Sequence, residues 1–399
     1  MSLPLPPAVD PATPLPAQTD VLIVGGGVAG AALAYELARR GAGALLIERG
    51  ELNREASGTN AGSVHLQIAI HQLMGTLDSY APRLLEETRL AVAAAQLWQG
   101  LEDELDGPID MHVTGGLMVA DTEAERELLV AKQRLEAEAG LETEVLDGDA
   151  LRARAPYLGP GALAATWCPL EGHVNPLMAV PLFALRAVQH GATIRTGVEL
   201  RALETLDGGG FRATTSAGVV EAARVVDAAG AWAPEVAAMV GLSLPMRRMG
   251  LHVNVTEPRA RLIEPLIQHI GRRLTLKQAY NGTFIIGGGW PSFEVARPAR
   301  YTTRWSSAAG NAAVAVDVVP ALADVRLVRT WSGVMGWTDD VSPIVGPSRR
   351  VPGFHVLGVF SSGYTMTPIL ARRLAETMTS SSAPPLPDDY APDREGRTS

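Results

Sequence analysis

The sharpest pattern of hydrophobic and polar positions runs from Asp20 to Gly50. Val21-Leu22-Ile23-Val24 is a short unbroken apolar run, the mark of a strand buried on both faces. Val28 to Arg40 carries apolar residues at helical spacing and stops at Gly41, and Ala44-Leu45-Leu46-Ile47 is a second buried run. Strand, helix and parallel strand within about thirty residues make a βαβ unit. The spacing then predicts amphipathic helices over Leu84–Leu105 and Glu123–Ala139, with a strand at Thr114–Ala120 between them. A helix over Pro176–His190 and strands at Ala192–Arg195 and Val225–Ala229 follow. From Met246 to Ile286, alternation and β-branched content predict an antiparallel sheet. Strands at Arg326–Trp331 and His355–Val359 and a helix from about Thr367 to Met378 complete the chain. There are no repeats, heptads or charged linkers, so two structural units must be interleaved rather than strung in series.

Composition narrows the class. The chain has 399 residues, 47% hydrophobic and 19% charged, enough to bury a large core across two domains. A formal charge of -9 argues against a nucleic-acid binder and against an electrostatic grip on anionic membranes. The single cysteine, Cys168, excludes an intramolecular disulfide and a Cys-rich metal or iron–sulfur centre, which fits a reducing, cytoplasmic setting. The Val21–Tyr35 run is broken by Glu36 and holds four glycines, so it is no membrane span. Residues 1–19, with six prolines and no basic start, read as a disordered leader and not a signal peptide. Residues 380–399 read as a matching tail.

Gly25-Gly26-Gly27-Val28-Ala29-Gly30 fits G-x-G-x-x-G. Gly25 permits the tight turn, Gly27 the close approach of a pyrophosphate, and Gly30 the packing of helix on strand. The helix N-terminus beyond presents free N–H groups and a positive dipole end to phosphate. Glu48, ending the next strand, suits the ribose hydroxyls of an adenosine. These features alone leave NAD and FAD both open.

Four further segments decide between them. Glu55-Ala56-Ser57-Gly58-Thr59-Asn60-Ala61-Gly62, Gly172-His173-Val174-Asn175-Pro176, Val225-Val226-Asp227-Ala228-Ala229-Gly230-Ala231-Trp232 and Arg329-Thr330-Trp331-Ser332-Gly333 stand in chain order. The last continues through Thr338, Asp340, Pro343 and Gly346. With Gly358-Val359-Phe360-Ser361-Ser362-Gly363-Tyr364-Thr365-Met366-Thr367-Pro368, they make the chain resemble the FAD-dependent D-amino-acid and glycine oxidase superfamily from about Asp20 to Met378. The resemblance implies an α/β fold, a Rossmann-type FAD-binding domain interleaved with an antiparallel-sheet substrate domain. The first is assigned 20–85, 146–245 and 326–379, and the second 86–145 and 246–325. It further implies FAD held by Gly25, Gly27, Val28, Ala29, Gly30, Glu48, Arg49, Ser57, Asn60, Ala61, Gly62, Val198, Ala229, Gly230, Trp232, Gly333, Gly358, Ser362, Gly363, Tyr364, Thr365 and Met366. Pro368 suits the first turn of the final helix, whose N-terminus then faces the flavin.

The implied activity is oxidation of a C–N bond in an amino acid or an opine-like secondary amine, by hydride transfer to flavin N5. Such chemistry needs orientation and exclusion of water more than a strong base. One departure narrows the substrate: where the oxidases carry the arginine that clamps the substrate carboxylate, this chain has Met335, and a thioether cannot replace a guanidinium. The segments Ser57–Gln67, Leu276–Thr283 and Ile286–Trp290 are similar to the branch holding opine oxidase and hydrogen cyanide synthase flavin subunits. That similarity implies small partner subunits that accept electrons. His65, Gln67 and Met335 are the candidate catalytic residues, His65 and Gln67 because alternate positions share a strand face. A satisfied buried polar pair is the bland reading of the same two. Lys277, Gln278 and Tyr280 are candidates to line the pocket, and Arg247 and Arg248 to replace the clamp or to form a solvated basic pair. His252 reads as a sheet-stacking or surface residue and Cys168 as a small core residue rather than a flavin anchor. A flavoprotein hydroxylase and a non-catalytic FAD-bound subunit are the competing readings.

Overall fold

The computed structural model describes residues 13–69, 77–296, 300–358 and 363–394. Among these residues two eight-stranded sheets carry the architecture. The first runs Leu200–Thr205, Phe211–Thr215, Gly218–Asp227, Gln18–Val24, Ala44–Glu48, Thr193–Thr196, with Phe354–Gly358 on the C-terminal half of Gly218–Asp227 and Ile344–Pro347 beyond it. The Gln18–Val24 strand pairs in parallel with neighbours on both sides, Leu22 lying opposite Leu45 and Val225. Its Val21, Leu22 and Ile23 are wholly buried because helices cover one face and the Phe211–Val356 core the other. This is the doubly covered strand that an unbroken apolar run specifies.

The Val28–Ala38 helix lies between this sheet and the helices Pro176–Gln189 and Gly363–Thr379. It is buried nearly all round, so its one acid, Glu36, needs partners, and Arg39, Arg40 and Arg372 supply them. Leu77–Glu104 packs against Gly363–Thr379, with Trp98 fully buried in the same core.

The second sheet runs Leu327–Thr338, Met246–Pro258, Thr283–Gly287, Thr275–Gln278, Leu266–His269, Gly116–Ala120, Ala164–Cys168, Glu144–Asp147. It is antiparallel except where Leu266–His269 meets Gly116–Ala120. The Trp305–Val318 helix covers one face through Ala315 and Val318. The chain is thus an α/β fold whose Rossmann-type unit is interleaved with a largely antiparallel sheet.

Several expected boundaries move. Ala164–Cys168, and the second half of Glu144–Asp147 with it, join the second sheet and not the first unit, because Ala164–Cys168 pairs with Gly116–Ala120 and Glu144–Asp147 with Ala164–Cys168. Leu327–Thr338 joins it too, drawn by a long pairing with Met246–Pro258. Leu77–Glu104, most of it assigned to the substrate domain, packs on the first unit through an apolar face that includes Leu90, Ala91, Trp98 and Leu101. The expected leader is structured from residue 13: Leu15 packs on the second core and Arg195 donates to the Thr13 carbonyl at 2.6 Å. The expected tail is docked to residue 394, with Tyr390 buried and Arg394 paired to Asp340 at 3.0 Å. Residues 1–12 and 395–399 of those two segments lie outside the described residues. The final helix is described from Gly363, so Pro368 sits in its second turn rather than its first.

Candidate active site

A cleft of about 640 Å³ opens at the C-terminal ends of the parallel strands, where the second sheet meets the first. This is where open α/β sheets bind their ligands. Its floor at one end is the glycine turn. Gly25 has φ +115°, and a Cβ there would stand 2.5 Å from the Ala228 carbonyl oxygen. A Cβ on Gly30 would collide with the Gly25 carbonyl, so Gly30 serves helix-on-strand contact and does not line the cleft. Gly27, Val28 and Ala29 do line it, and Ser57 Oγ accepts from the Val28 N–H at 2.9 Å. Glu48 lines it with both oxygens engaged, accepting from the Gly26 N–H and the Gly50 N–H at 2.7 Å each.

The flanking walls come from distant segments. Asn60 and Ala61 line the cleft, and the Asn60 side chain ties its own turn through the Ser57 carbonyl and the Gly62 N–H, both at 2.6 Å. Ala229, Gly230 and Trp232 form another wall, where the Arg49 guanidinium lies 4.3 Å from the Trp232 ring centre. Gly358 and then Gly363, Tyr364 and Thr365 close the far side. Tyr364 stacks on Trp98, and Trp98 donates to the Thr365 carbonyl at 2.8 Å, so the helix start is held from behind.

Other expected cofactor contacts serve the scaffold. Val198 is buried and donates to the Glu48 carbonyl at 2.8 Å; Glu199 and Leu200 line the cleft in its place. Gly62 lies behind the lining, and Met366 turns into the core. Gly333 is required by Thr59, whose side chain a Cβ would strike; beside it Trp331 donates to the Thr59 carbonyl at 2.8 Å. Ser362 lies outside the described residues.

The three candidate catalytic residues separate. His65 and Met335 line the cleft; Gln67 does not. The strand ends at Val64, so the two-residue alternation that would align His65 with Gln67 is lost. Gln67 instead joins a buried network, accepting from Lys132 Nζ at 3.0 Å and Thr166 Oγ1 at 2.6 Å and donating to Glu171 at 3.1 Å. The satisfied buried polar role is the one the structure supports for it. Burial, helped by the Lys277 charge, lowers the His65 imidazole to about 4, so the ring is neutral at pH 7; its enclosed Nδ1 has no hydrogen-bond partner among the described residues.

Of the other residues weighed, Arg248 lines the cleft, donating to the Ala231 carbonyl at 3.0 Å and pairing with Glu235, while Arg247 meets Asp339 in solvent. Gln278 fastens a loop through the Leu262 and Ile263 N–H groups, Tyr280 is exposed, and His252 is buried outside the cleft. Cys168 is buried in the core, where burial pushes its thiol far up. Thr275, Glu55, Glu235 and Met239 were missed; Glu55 falls inside a recognised segment, and Glu235 and Met239 follow one.

Asp227 carries a test of this wall. Its Oδ1 accepts from the Ala229 N–H at 3.1 Å, its Oδ2 has no partner among the described residues, and burial raises the carboxyl to about 8. A folded-state pKa above the unfolded value means the folded protein binds the extra proton. Stability is then full below about pH 4 on this group's account and falls as pH rises toward 8. Asp227→Asn should remove that slope and stabilise the protein at pH 8 by on the order of a few kcal/mol. Equal urea midpoints for both proteins across pH 5–8 would contradict the assignment.

The residues fit FAD: a turn that excludes side chains, helix amides beyond it, a carboxylate at the next strand end, and a second helix start across the cleft. The profile of the DAO family, FAD dependent oxidoreductase, matches residues 20–377, and the chain belongs to that family. It is an FAD-binding enzyme of the class that acts on amino-acid or amine substrates. An opine oxidase subunit from Agrobacterium tumefaciens (strain Ach5) is 29% identical over 353 residues, covering 86% of this chain and 89% of that one. Glycine oxidase of Geobacillus kaustophilus (strain HTA426) is 29% identical over 367 residues, covering 90% and 92%. The fold matches the crystal structure of L-proline dehydrogenase from P. horikoshii with a TM-score of 0.84 at 22% identity, over 95% of this chain and 98% of that one. Among the described residues no helix is long and apolar enough to cross a membrane.

Proposed function

We propose that the protein oxidises the C–N bond of an amino acid or an opine-like secondary amine. The observation that carries this reading is the continuous cleft that runs from the phosphate-type turn at Gly25–Gly27 to Val334, Met335 and Gly336 on the second sheet. FAD, when bound, supplies the hydride acceptor, and the imine left behind hydrolyses in water. The chain's own residues then have three tasks. The Gly363–Thr379 helix start brings a positive dipole end to the cleft, which favours the reduced, negative form of a ring held there. Val334 and Met335 exclude water. His65, neutral at pH 7, accepts or donates a hydrogen bond without imposing charge on the amine.

Met335 separates this chain from an enzyme that clamps its substrate's carboxylate by arginine at that strand position, and favours opine-like secondary amines over glycine or D-alanine. The test is anaerobic absorbance of the FAD-loaded protein with opines, D-amino acids, glycine and N-methyl amines. Loss of the oxidised flavin band with one class is expected. No bleaching by any class, with dithionite still effective, would overturn catalysis by the isolated chain. It would favour a second reading, a flavin subunit that works only with small electron-accepting partners. The similarity to a protein named as a subunit supports that reading, as do exposed Leu327 and Val328 at the start of an edge strand.

A further inference from the structure

Among the described residues, the arginines that line the cleft are Arg49 and Arg248, and they come from different units. Arg49 follows the Ala44–Glu48 strand of the first sheet, and Arg248 lies in Met246–Pro258 of the second. Both reach the indole of Trp232, the Arg49 guanidinium carbon lying 4.3 Å from its ring centre and that of Arg248 5.5 Å. Arg248 is fastened across the join, donating to the Ala231 carbonyl at 3.0 Å and pairing with Glu235. Its side chain is 25% exposed against 61% for Arg247, so it is no solvated basic residue.

The indole sets this pair beside the phosphate-type turn. A Cβ on Gly25 would strike Ala228 and Ala229, and the chain runs from them straight into the Gly230–Trp232 turn. On the other side, the Arg49 charge acts on Glu55, two residues before the Ser57 that accepts from the Val28 N–H. A diphosphate diester held at the turn is a dianion, while the helix end that faces it carries only about half a positive charge. The balance falls to side chains, and the cleft offers these two guanidinium groups. Burial first, and the Arg49 charge after it, lower the Arg248 guanidinium, so an anion received beside both offsets their repulsion.

We propose that Arg248 reaches across from the second sheet to join Arg49 on the diphosphate of the dinucleotide, so that bound FAD ties the two units together. The consequence lies in the register of the sheet. Arg248 stands opposite Gly336 and Met249 opposite Met335, so the strand that carries Arg248 also supports the wall assigned to the substrate. Filling the diphosphate site then fixes the position of that wall. The role requires FAD binding alone, whichever amine is oxidised.

The test measures FAD binding to the flavin-free full-length chain by fluorescence quenching, with ADP and adenosine as competitors. Arg248→Met should weaken FAD and ADP at least about tenfold and leave adenosine unchanged. The loss of ADP affinity with salt should become shallower, and Arg248→Lys should restore part of both effects. Equal FAD affinity in wild type and Arg248→Met would overturn the proposal, and so would equal losses for ADP and adenosine. Should Arg248→Met fail to fold, Glu235→Gln decides. Freeing Arg248 from its acid should tighten ADP about twofold or more, and unchanged or weaker binding would overturn the assignment. Amine bleaching at saturating FAD keeps the two readings apart. If amines bleach the flavin while FAD affinity ignores Arg248, the diphosphate assignment fails and the oxidation reading stands. If FAD and ADP affinities depend on Arg248 but no amine bleaches the flavin, the reverse holds.

Discussion

Gly27→Val should purify folded and colourless, with FAD affinity at least about 100-fold weaker, near 2.7 kcal/mol. Gly27 has φ -80°, so its backbone tolerates a side chain and the fold should survive. The obstacle is space in the cleft. A Cβ at position 27 would stand 2.9 Å from Ser57 Oγ, the atom that accepts from the Val28 N–H, so the first branch of valine dislodges Ser57. The remaining methyls fill the opening through which the first helical amides reach a phosphate. The ratio of flavin to protein absorbance after purification, with quenching of added FAD fluorescence, reads the effect. Full FAD content in a folded variant would remove the phosphate site from this turn. Gly30→Val is the contrasting case: there the collision is with the Gly25 carbonyl, and folding itself should suffer.

That contrast shows how much is legible in the sequence alone. The strand, turn and helix from Gln18 to Ala38 were readable because both faces of the strand are buried and each motif glycine has its own steric reason. Local sequence carries such information. The strands Glu144–Asp147 and Ala164–Cys168 are not readable, since Ala164–Cys168 pairs with Gly116–Ala120 and Glu144–Asp147 with Ala164–Cys168, and nothing local records either pairing. The Trp305–Val318 helix hid for another reason, an alanine-rich stretch with little periodicity. In the site, cofactor residues inside glycine-rich segments came through well. The reading failed at Gln67, where alternation was extended past Val64, the last residue of its strand. Lys277, expected to line the pocket, is buried and is not among the residues that line the cleft, a placement that only the packed molecule records.

Lys132→Met should cost about 3–5 kcal/mol of stability, although Lys132 touches neither cofactor nor substrate. Its Nζ lies 2.7 Å from Glu136 Oε1 and 3.0 Å from Gln67 Oε1, with both partners of the ion pair wholly buried. The same carboxylates hold backbone: Glu136 accepts from the Ile68 N–H at 2.9 Å, and Glu171 from the Leu66 and Gln67 N–H groups at 2.7 and 3.0 Å. Lys132 is the cation that makes two buried acids tolerable, and it opposes the burial that raises Glu171. Methionine keeps the volume and removes the charge, leaving two carboxylates facing each other through Gln67. The penalty should shrink as pH falls, because protonating an unpaired buried acid relieves it. Lys132→Met combined with Glu136→Gln should recover part of the loss. The segment these acids grip follows His65 directly, so the single variant should also loosen the cleft wall and weaken FAD binding. Urea unfolding at pH 5 and pH 8, followed by tryptophan fluorescence, measures both the loss and its pH dependence. An unchanged midpoint at pH 8 would show that the network does not hold the His65 segment in place.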